Sequence, residues 1–583
     1  MILQALKEYY DRKASDPESD IAPEGWEWKE IPFIIVLDHD GNLIHIEDTR
    51  ETIGKKKRAR AFLVPQAVKK ASGIAANLLW DVAGYVFGID TKGNSERALK
   101  QKEAFIARLQ QELGNIPLVQ SVLHFLEHVT QGRLLQESCW QEILDTNPNL
   151  SFRIAPNTSL LCRHKDIIAK LNRQRNKEAD TASGICLVTG EETVIQQLHT
   201  AIKGVYGAQS SGANIVSFNL DAFRSYGKNQ GFNSPVGKEA EFAYTTAINN
   251  LLGKDSKQRL LIGDATTVFW SEKESSFESD FAFFFKEPEK DDPDAGTHKI
   301  KELFASLSSG AYREGDSTIR FYILGLSPNA ARIAIRLWQV ATVAELAVRI
   351  KQYFDDFAIV KPPKEPEYYS VWRVLVNIAV QDKSENIPPN LAGDFMRSIL
   401  NNIPYPATLL QAVLRRIRSD TEHRVKPVRA ALLKAYLNRY YRFYPHPSFK
   451  EVSMEIDTSQ PSTGYQLGRL FATLEKIQEE ANPGINATIR DRYYGAACST
   501  PITVFTNLLR LKNHHLAKME NKGRIINFER LLGEIVGKLK QFPAHLSLHE
   551  QGLFAIGYYH QRQAFFTKSD EGSKTAESMK KEG

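Results

Sequence analysis

The strongest constraint on the fold is a change of periodicity near Asn329. Before it, short β-branched and aromatic runs alternate with turns that contain Gly, Ser, Asn or Asp. Ile31–Leu37, the turn Asp38-His39-Asp40-Gly41-Asn42 and Leu43–Ile46 read as strand, turn and strand. Further strands are expected at Ile185–Thr189, Ile215–Phe218, Leu260–Ile262 and Thr318–Leu324, with a helix over Lys100–Leu113 that stops at Gly114. Lys286–His298 is a polar break. After Asn329 the apolar spacing becomes helical: Ala330–Phe357, Tyr369–Val380, Leu391–Asn401, Pro406–Ser419 and Val428–Arg442. Beyond Tyr444-Pro445-His446-Pro447, helices are expected over Tyr465–Glu480, Ile485–Cys498, Pro501–Glu520, Arg524–Gln541 and Leu546–Thr567. The class is α+β: a mixed α/β N-terminal region, then an all-α region ending in a helical bundle. Since 583 residues exceed one core, three regions are assigned: 1–358 mixed α/β, 359–450 basic and helical, 451–583 a bundle with a polar tail.

Several function classes find no support. No stretch reaches the apolar length of a membrane span, and Met1–Tyr10 is amphipathic rather than leader-like. Cys139, Cys162, Cys186 and Cys498 lack metal-ligand or disulfide-framework spacing, which fits a reducing cytoplasm. No metal site and no cofactor are expected, for HExxH, GxSxG and GxxxxGK[ST] are absent. Asp38 and Asp40 are better explained as turn formers than as metal ligands. Adjacent His514 and His515 diverge by about 100° on a helix, so they cannot share one ion. Asp264 follows a strand without an acid or histidine beside it. No catalytic constellation emerges, although a metal-dependent nuclease using Asp38, Asp40 or Asp264 remains the enzymatic alternative.

Three segments carry the residue types that hold nucleic acid. Gly54–Gly88 opens with Lys55, Lys56, Lys57, Arg58 and Arg60, continues to Lys69 and Lys70, then Ser72-Gly73, Asn77 and Trp80-Asp81. Cations hold phosphates regardless of sequence, while small residues and amides allow approach to base edges. Two readings fit: a loop that grips a duplex, or a charged surface hairpin before a buried helix. Phe223–Gly237 holds Lys228, Asn229, Gln230 and Asn233 among glycines and aromatics; it reads as a base-facing loop or as a plain surface loop before a helix. Asn401–Lys450 contains ten Lys/Arg against Asp420 and Glu422, more than the whole chain's surplus of +6. Its cations, with Tyr436, Tyr440, Tyr441 and Phe443 interleaved, favour nucleic acid over an acidic protein partner.

Ordered motifs over nearly the whole chain carry a family resemblance. They include Met1-Ile2-Leu3-Gln4-Ala5-Leu6, Ile31-Pro32-Phe33, Val64-Pro65, Ser72-Gly73-Ile74, Asn77-Leu78-Leu79-Trp80-Asp81 and Tyr85-Val86-Phe87-Gly88. Tyr226-Gly227-Lys228, Asn233-Ser234-Pro235-Val236, Ala243–Ala247, Asp264–Trp270, Tyr465–Leu470, Arg492-Tyr493-Tyr494 and Ala496–Pro501 continue them. The sequence resembles the large subunit of the type I-C CRISPR surveillance complex, Cascade. The resemblance implies a non-catalytic subunit that senses a protospacer-adjacent motif in duplex DNA, helps part the strands and steadies the displaced one. Implied partners are guide RNA with its 5′ handle, filament and RNA-processing subunits, small subunits, and a recruited helicase-nuclease. Residues 451–583 would resemble a small subunit, with Met454 a candidate internal start. On this resemblance Lys69, Lys70, Ser72, Gly73 and Asn77 are first candidates for motif contact, and Lys228, Asn229, Gln230 and Asn233 second. Lys55, Lys56, Lys57, Arg58, Arg60, Arg415, Arg416, Arg418, Arg424, Lys426 and Arg429 are assigned to nucleic-acid backbone. A scaffold that binds RNA or protein without reading a duplex is the remaining alternative.

Overall fold

In the computed structural model, the residues described are 2–53, 56–68, 73–90, 94–175, 183–262, 265–285, 302, 305–310, 318–420 and 424–566. Roughly half of the chain is helix and a smaller share strand, with the strands in the N-terminal region, so the α+β class holds. The chain divides into two compact units: residues 1–204 with 208–254 and 328–333, and residues 205–207 with 255–327 and 334–583.

In the first unit a four-stranded sheet runs in the order Leu43–Asp48, Phe33–Leu37, Asn149–Ile154, Trp80–Val82. Phe33–Leu37 is buried along its whole length, which is why it reads as an unbroken apolar run. It pairs antiparallel with Leu43–Asp48 and parallel with Asn149–Ile154. A parallel neighbour requires a long crossover, and helices Ser95–Leu113 and Pro117–His128 lie within it. Their Phe105, Leu109, Val122 and Phe125 share a core with Ile35 and Phe152. The Asp38 carboxylate accepts the Asp40 N–H at 3.0 Å, the Asn42 N–H at 2.8 Å and the Asn42 amide at 2.9 Å. Hydrogen bonding to Asn42 holds its carboxyl below the usual range. Gly41 has φ of +89°, and a Cβ there would lie 2.4 Å from the Ser121 carbonyl oxygen. Asp38 is a turn former, as its sequence context indicated.

The second unit begins with a sheet ordered Arg259–Ile262, Ala265–Ser271, Arg320–Asn329, Arg332–Thr342. The expected helix from Ala330 is in fact this last strand plus a helix over Val343–Phe357. Ala330 takes a left-handed φ of 53°, reversing the chain tightly enough for the next strand to pair. Ile333, Ile335, Trp338 and Val340 then suit a strand, and a capping box between Thr342 and Glu345 starts the helix. The strand expected at Ile185–Thr189 is confined to Ser183–Ile185, paired with Glu192–Val194, and Ile215–Phe218 forms no ladder.

Helices Val371–Ile378, Pro389–Leu400, Ala407–Ser419 and Pro427–Phe443 follow, then Thr463–Ala481, Ile489–Ser499, Ile502–Ala517, Lys522–Val536 and Leu548–Ala564. One core joins the sheet (Phe269, Phe321), the middle helices (Leu414, Leu433) and the bundle (Phe471, Phe554). Thr463–Ala481 and Leu548–Ala564 meet backbone to backbone. A Cβ on Gly464, Gly468 or Gly557 would fall 2.2, 2.0 or 2.1 Å from the carbonyl oxygens of Glu550, Phe554 and Tyr465. All four cysteines are free thiols. Among the described residues, no helix is long and apolar enough to cross a membrane.

Candidate nucleic-acid interface

Two loops of the first unit are closed by asparagine clasps. The strand Ala61–Pro65 pairs antiparallel with Trp26–Glu30 and leads into the first loop, and Trp80–Val82 lies beyond it. Asn77 is buried, with 4% of its surface exposed, and its Oδ1 accepts the Val68 N–H at 3.0 Å. The Asn77 N–H in turn donates to Asp81 Oδ2 at 2.8 Å, and Trp80 Nε1 donates to the Pro65 carbonyl at 2.7 Å. Leu79 bends the chain between them with φ of 60°. The two sides are therefore pinned at 65–68 and 77–80, and the intervening run contains Lys69, Lys70, Ser72 and Gly73. Asn77 holds the base of the loop, and its acceptor oxygen is taken by the loop's own backbone. Gly73 is exposed, with no atom within 4 Å of a Cβ built on it. Lys69, Lys70, Ser72 and Lys55 lie outside the described residues.

The basic start of this segment is a hairpin, Arg50–Ile53 with Lys56–Ala59, and the segment's end, Ala83–Phe87, is a short buried helix. Lys56 belongs to the second strand and Lys57 is exposed. Arg58 lies 3.7 Å from Glu30, and the exposed Arg60 rests its guanidinium over the Phe62 ring at 5.4 Å. The hairpin-and-buried-helix reading thus describes the flanks, and the clasped loop lies between them.

The second clasp is Asn233. Its Oδ1 accepts the Ser225 N–H at 2.9 Å, and its Nδ2 donates to the carbonyls of Lys228 at 3.1 Å and Gln230 at 3.0 Å. Inside it, Ser225–Lys228 is a tight turn closed by Lys228 N–H to Ser225 oxygen at 3.0 Å. Its central residues, Tyr226 at φ 51° and Gly227 at φ 71°, both lie in the left-handed region. A tyrosine is uncommon there, and this one is 98% exposed. Lys228 and Asn229 are exposed beside it, while Gln230 turns inward to line a small cleft with Asn214 and His199. In the sequence Tyr226 belongs to a family motif but is not among the candidate contact residues; its signal is a large ring next to glycine in a loop with nothing apolar to bury it.

The basic run at 401–450 is mostly internal wiring of the second unit. Arg429 is fully buried and donates to the Asn377 carbonyl at 2.8 Å and the Asp420 carboxylate at 2.8 Å, with Asp382 at 3.2 Å. Lys426 meets Asp382 at 2.6 Å, and Arg416 lies 3.5 Å from both Asp382 and Asp420. Arg424, 7% exposed, donates to the Arg418 carbonyl at 2.8 Å and contacts the Asp491 carbonyl at 3.4 Å. Arg418 reaches Gln551 in the bundle. Further along, Arg439 caps the carbonyls of Ser398 and Ile403, and Arg442 pairs with the buried Asp356 at 2.6 Å. Burial pushes the Asp356 carboxyl up and the Lys434 ammonium down from their ordinary values. Arg424 and Arg429, assigned from sequence to a phosphate backbone, have no exposed face to offer one; Arg416 and Lys426 are committed to carboxylates. Counting charge along one segment misses Asp356 and Asp382, which the fold brings in from outside it. Of the six cations assigned here, Arg415 and Arg418 are exposed.

Among the described residues, no group of three or more His, Cys, Asp or Glu is arranged to hold a metal ion. Asp264, the third acid of the nuclease alternative, lies outside the described residues. A comparison with curated proteins returned no match. Residues 6–566 match the model of the CRISPR-associated protein family Cas_Csd1, and this chain belongs to that family, the large subunits of type I-C surveillance complexes.

Proposed function

We propose that this chain is the non-catalytic subunit that recognises the protospacer-adjacent motif in duplex DNA for an RNA-guided complex of the cytoplasm. The observation that carries the reading is the pair of clasped loops in one unit. In one, a bond joins Val68 to Asn77, on either side in sequence of Lys69, Lys70, Ser72 and Gly73; the other holds an exposed Tyr226 beside Gly227 and Lys228. Lys228, on a loop pinned by Asn233, can hold a phosphate at a fixed register, which a floppy loop cannot do without an ordering cost. An aromatic ring that projects into solvent can enter a base step and stack on an unpaired base, worth about 1–3 kcal/mol per base. The guide RNA then reads the rest of the target by pairing, so a short protein readout suffices. Lys57, Arg60 and Arg415 extend the backbone grip. The same subunit contacts the RNA 5′ handle, steadies the displaced strand beside filament and small subunits, and recruits the helicase-nuclease.

The test is equilibrium binding by the assembled complex to motif-bearing and scrambled-motif duplexes. Lys69→Ala with Lys70→Ala, and separately Tyr226→Ala, are expected to weaken binding to the motif-bearing duplex about tenfold or more. Equal affinity of the unaltered complex for both duplexes would favour a scaffold that does not read DNA. Divalent-metal-dependent cleavage by the purified chain would instead support the nuclease.

A further inference from the structure

A cleft of about 280 Å³ lies in the second unit, between the sheet and the Pro389–Leu400 helix. Part of its room comes from Gly393, where a Cβ would meet nothing within 4 Å; Gly325, in the strand opposite Thr267, is closely covered, with Leu337 Cβ 3.1 Å from where a Cβ would stand. Glycine inside a helix costs roughly 1 kcal/mol relative to alanine, and no steric need of the free protein accounts for it at Gly393.

The polar groups around this space are incompletely used. Thr267 is fully buried, lines the cleft, and its hydroxyl has no hydrogen-bond partner. Leaving such a group unsatisfied costs about 1–3 kcal/mol, a strain the free protein carries beside the cleft. Arg336 is exposed and spends its Nε on Ser327 Oγ at 2.7 Å, which leaves the outer nitrogens of the guanidinium available. Arg397, from the helix, contacts Asp394 at 3.2 Å through one nitrogen and is otherwise open. Leu337 and Met396 supply apolar wall.

We propose that this cleft binds one nucleotide unit of a single strand. Two guanidiniums at the cleft suit a phosphate, which arginine takes in bidentate fashion. The apolar wall and the side-chain-free surface at Gly393 accept a flat base. The Asp394 oxygen that does not face Arg397 is left for a hydrogen bond to base or sugar. The volume sits near the lower end of small-molecule pockets, roughly 300 Å³, which fits a single unit and not a run of stacked bases. An acyl chain would strand both arginines. The inference rests on nucleic acid being this chain's ligand, but it does not depend on the clasped loops of the other unit.

The experiment titrates the full chain with adenosine monophosphate by calorimetry, and with fluorescent single-stranded RNA and DNA twelve-mers by anisotropy. Gly393→Leu fills the cleft from a position with open space, and Arg336→Ala removes a phosphate contact while leaving the cleft's shape. Both are expected to weaken the mononucleotide at least tenfold, with Gly393→Leu melting no lower than the unaltered chain. A larger loss on RNA than on DNA assigns the site to the guide, the reverse to the displaced strand, and either supports the proposal. Absence of mononucleotide binding, or binding unchanged in both variants, overturns it. The duplex motif preference, measured in parallel, decides the proposed function separately.

Discussion

At the scale of single residues, two of the four amides assigned to base readout, Asn77 and Asn233, serve the protein's own backbone. Asn77 and Asn233 each hold a loop shut. Asn233→Ala removes three hydrogen bonds at once and is expected to speed amide exchange across 225–233 by about tenfold, seen by hydrogen–deuterium exchange, while the global melting point stays within a degree or two. Arg429 stands at the other extreme. Arg429→Ala leaves Asp382 and Asp420 without their buried partner and should cost about 3–5 kcal/mol in denaturant unfolding of the second unit, whereas Arg415→Ala should leave stability unchanged. His560 gives a pH handle. It is 1% exposed, its Nδ1 lies 2.9 Å from the Tyr465 hydroxyl, and burial pulls its pKa down to about 3. In the unfolded chain it titrates near its ordinary value, so its neutral form contributes stability that is full above about pH 6.5. That contribution is lost as pH falls toward about 3, at a slope of about 1.4 kcal/mol per pH unit. His560→Gln should flatten that slope in urea titrations between pH 6.5 and 4.

At the scale of elements, the bundle depends on one close crossing. Gly468→Ala puts a methyl group into the Phe554 carbonyl and is expected to lower the melting point by several degrees, with Gly495→Ala, where nothing lies within 4 Å, as the neutral control. The helical half was legible in sequence because its apolar spacing, prolines and caps agree: the expected ranges for Pro406–Ser419 and Tyr465–Glu480 lie within a residue or two of Ala407–Ser419 and Thr463–Ala481. The strand Arg332–Thr342 was not legible, because its run of apolar residues continues into a real helix and the reversal at Ala330 uses a residue without turn character. Of the candidate interface, the loops themselves could be found from their small and basic residues. What each asparagine does could not, for its partners, Val68 and Ser225, are backbone groups that composition cannot reveal.

At the scale of the whole molecule, the modest surplus of +6 is consistent with a basic segment largely neutralised inside the fold. On the proposed reading, backbone contact comes from scattered exposed cations such as Lys57, Arg60 and Arg415. Removing Arg415 should weaken all duplexes alike and reduce the salt slope by about 1, without changing which sequence is preferred. The clasped loops carry the opposite expectation, which makes the two contributions separable in one assay. The measurement closest to the central claim is the ratio of affinities of the assembled complex for motif-bearing and scrambled duplexes, compared between the unaltered subunit and a Tyr226→Ala, Lys228→Ala double variant. The account predicts a ratio well above one that falls at least tenfold in the double variant and is preserved in Arg415→Ala. A ratio that stays the same when both loop residues are removed would contradict it.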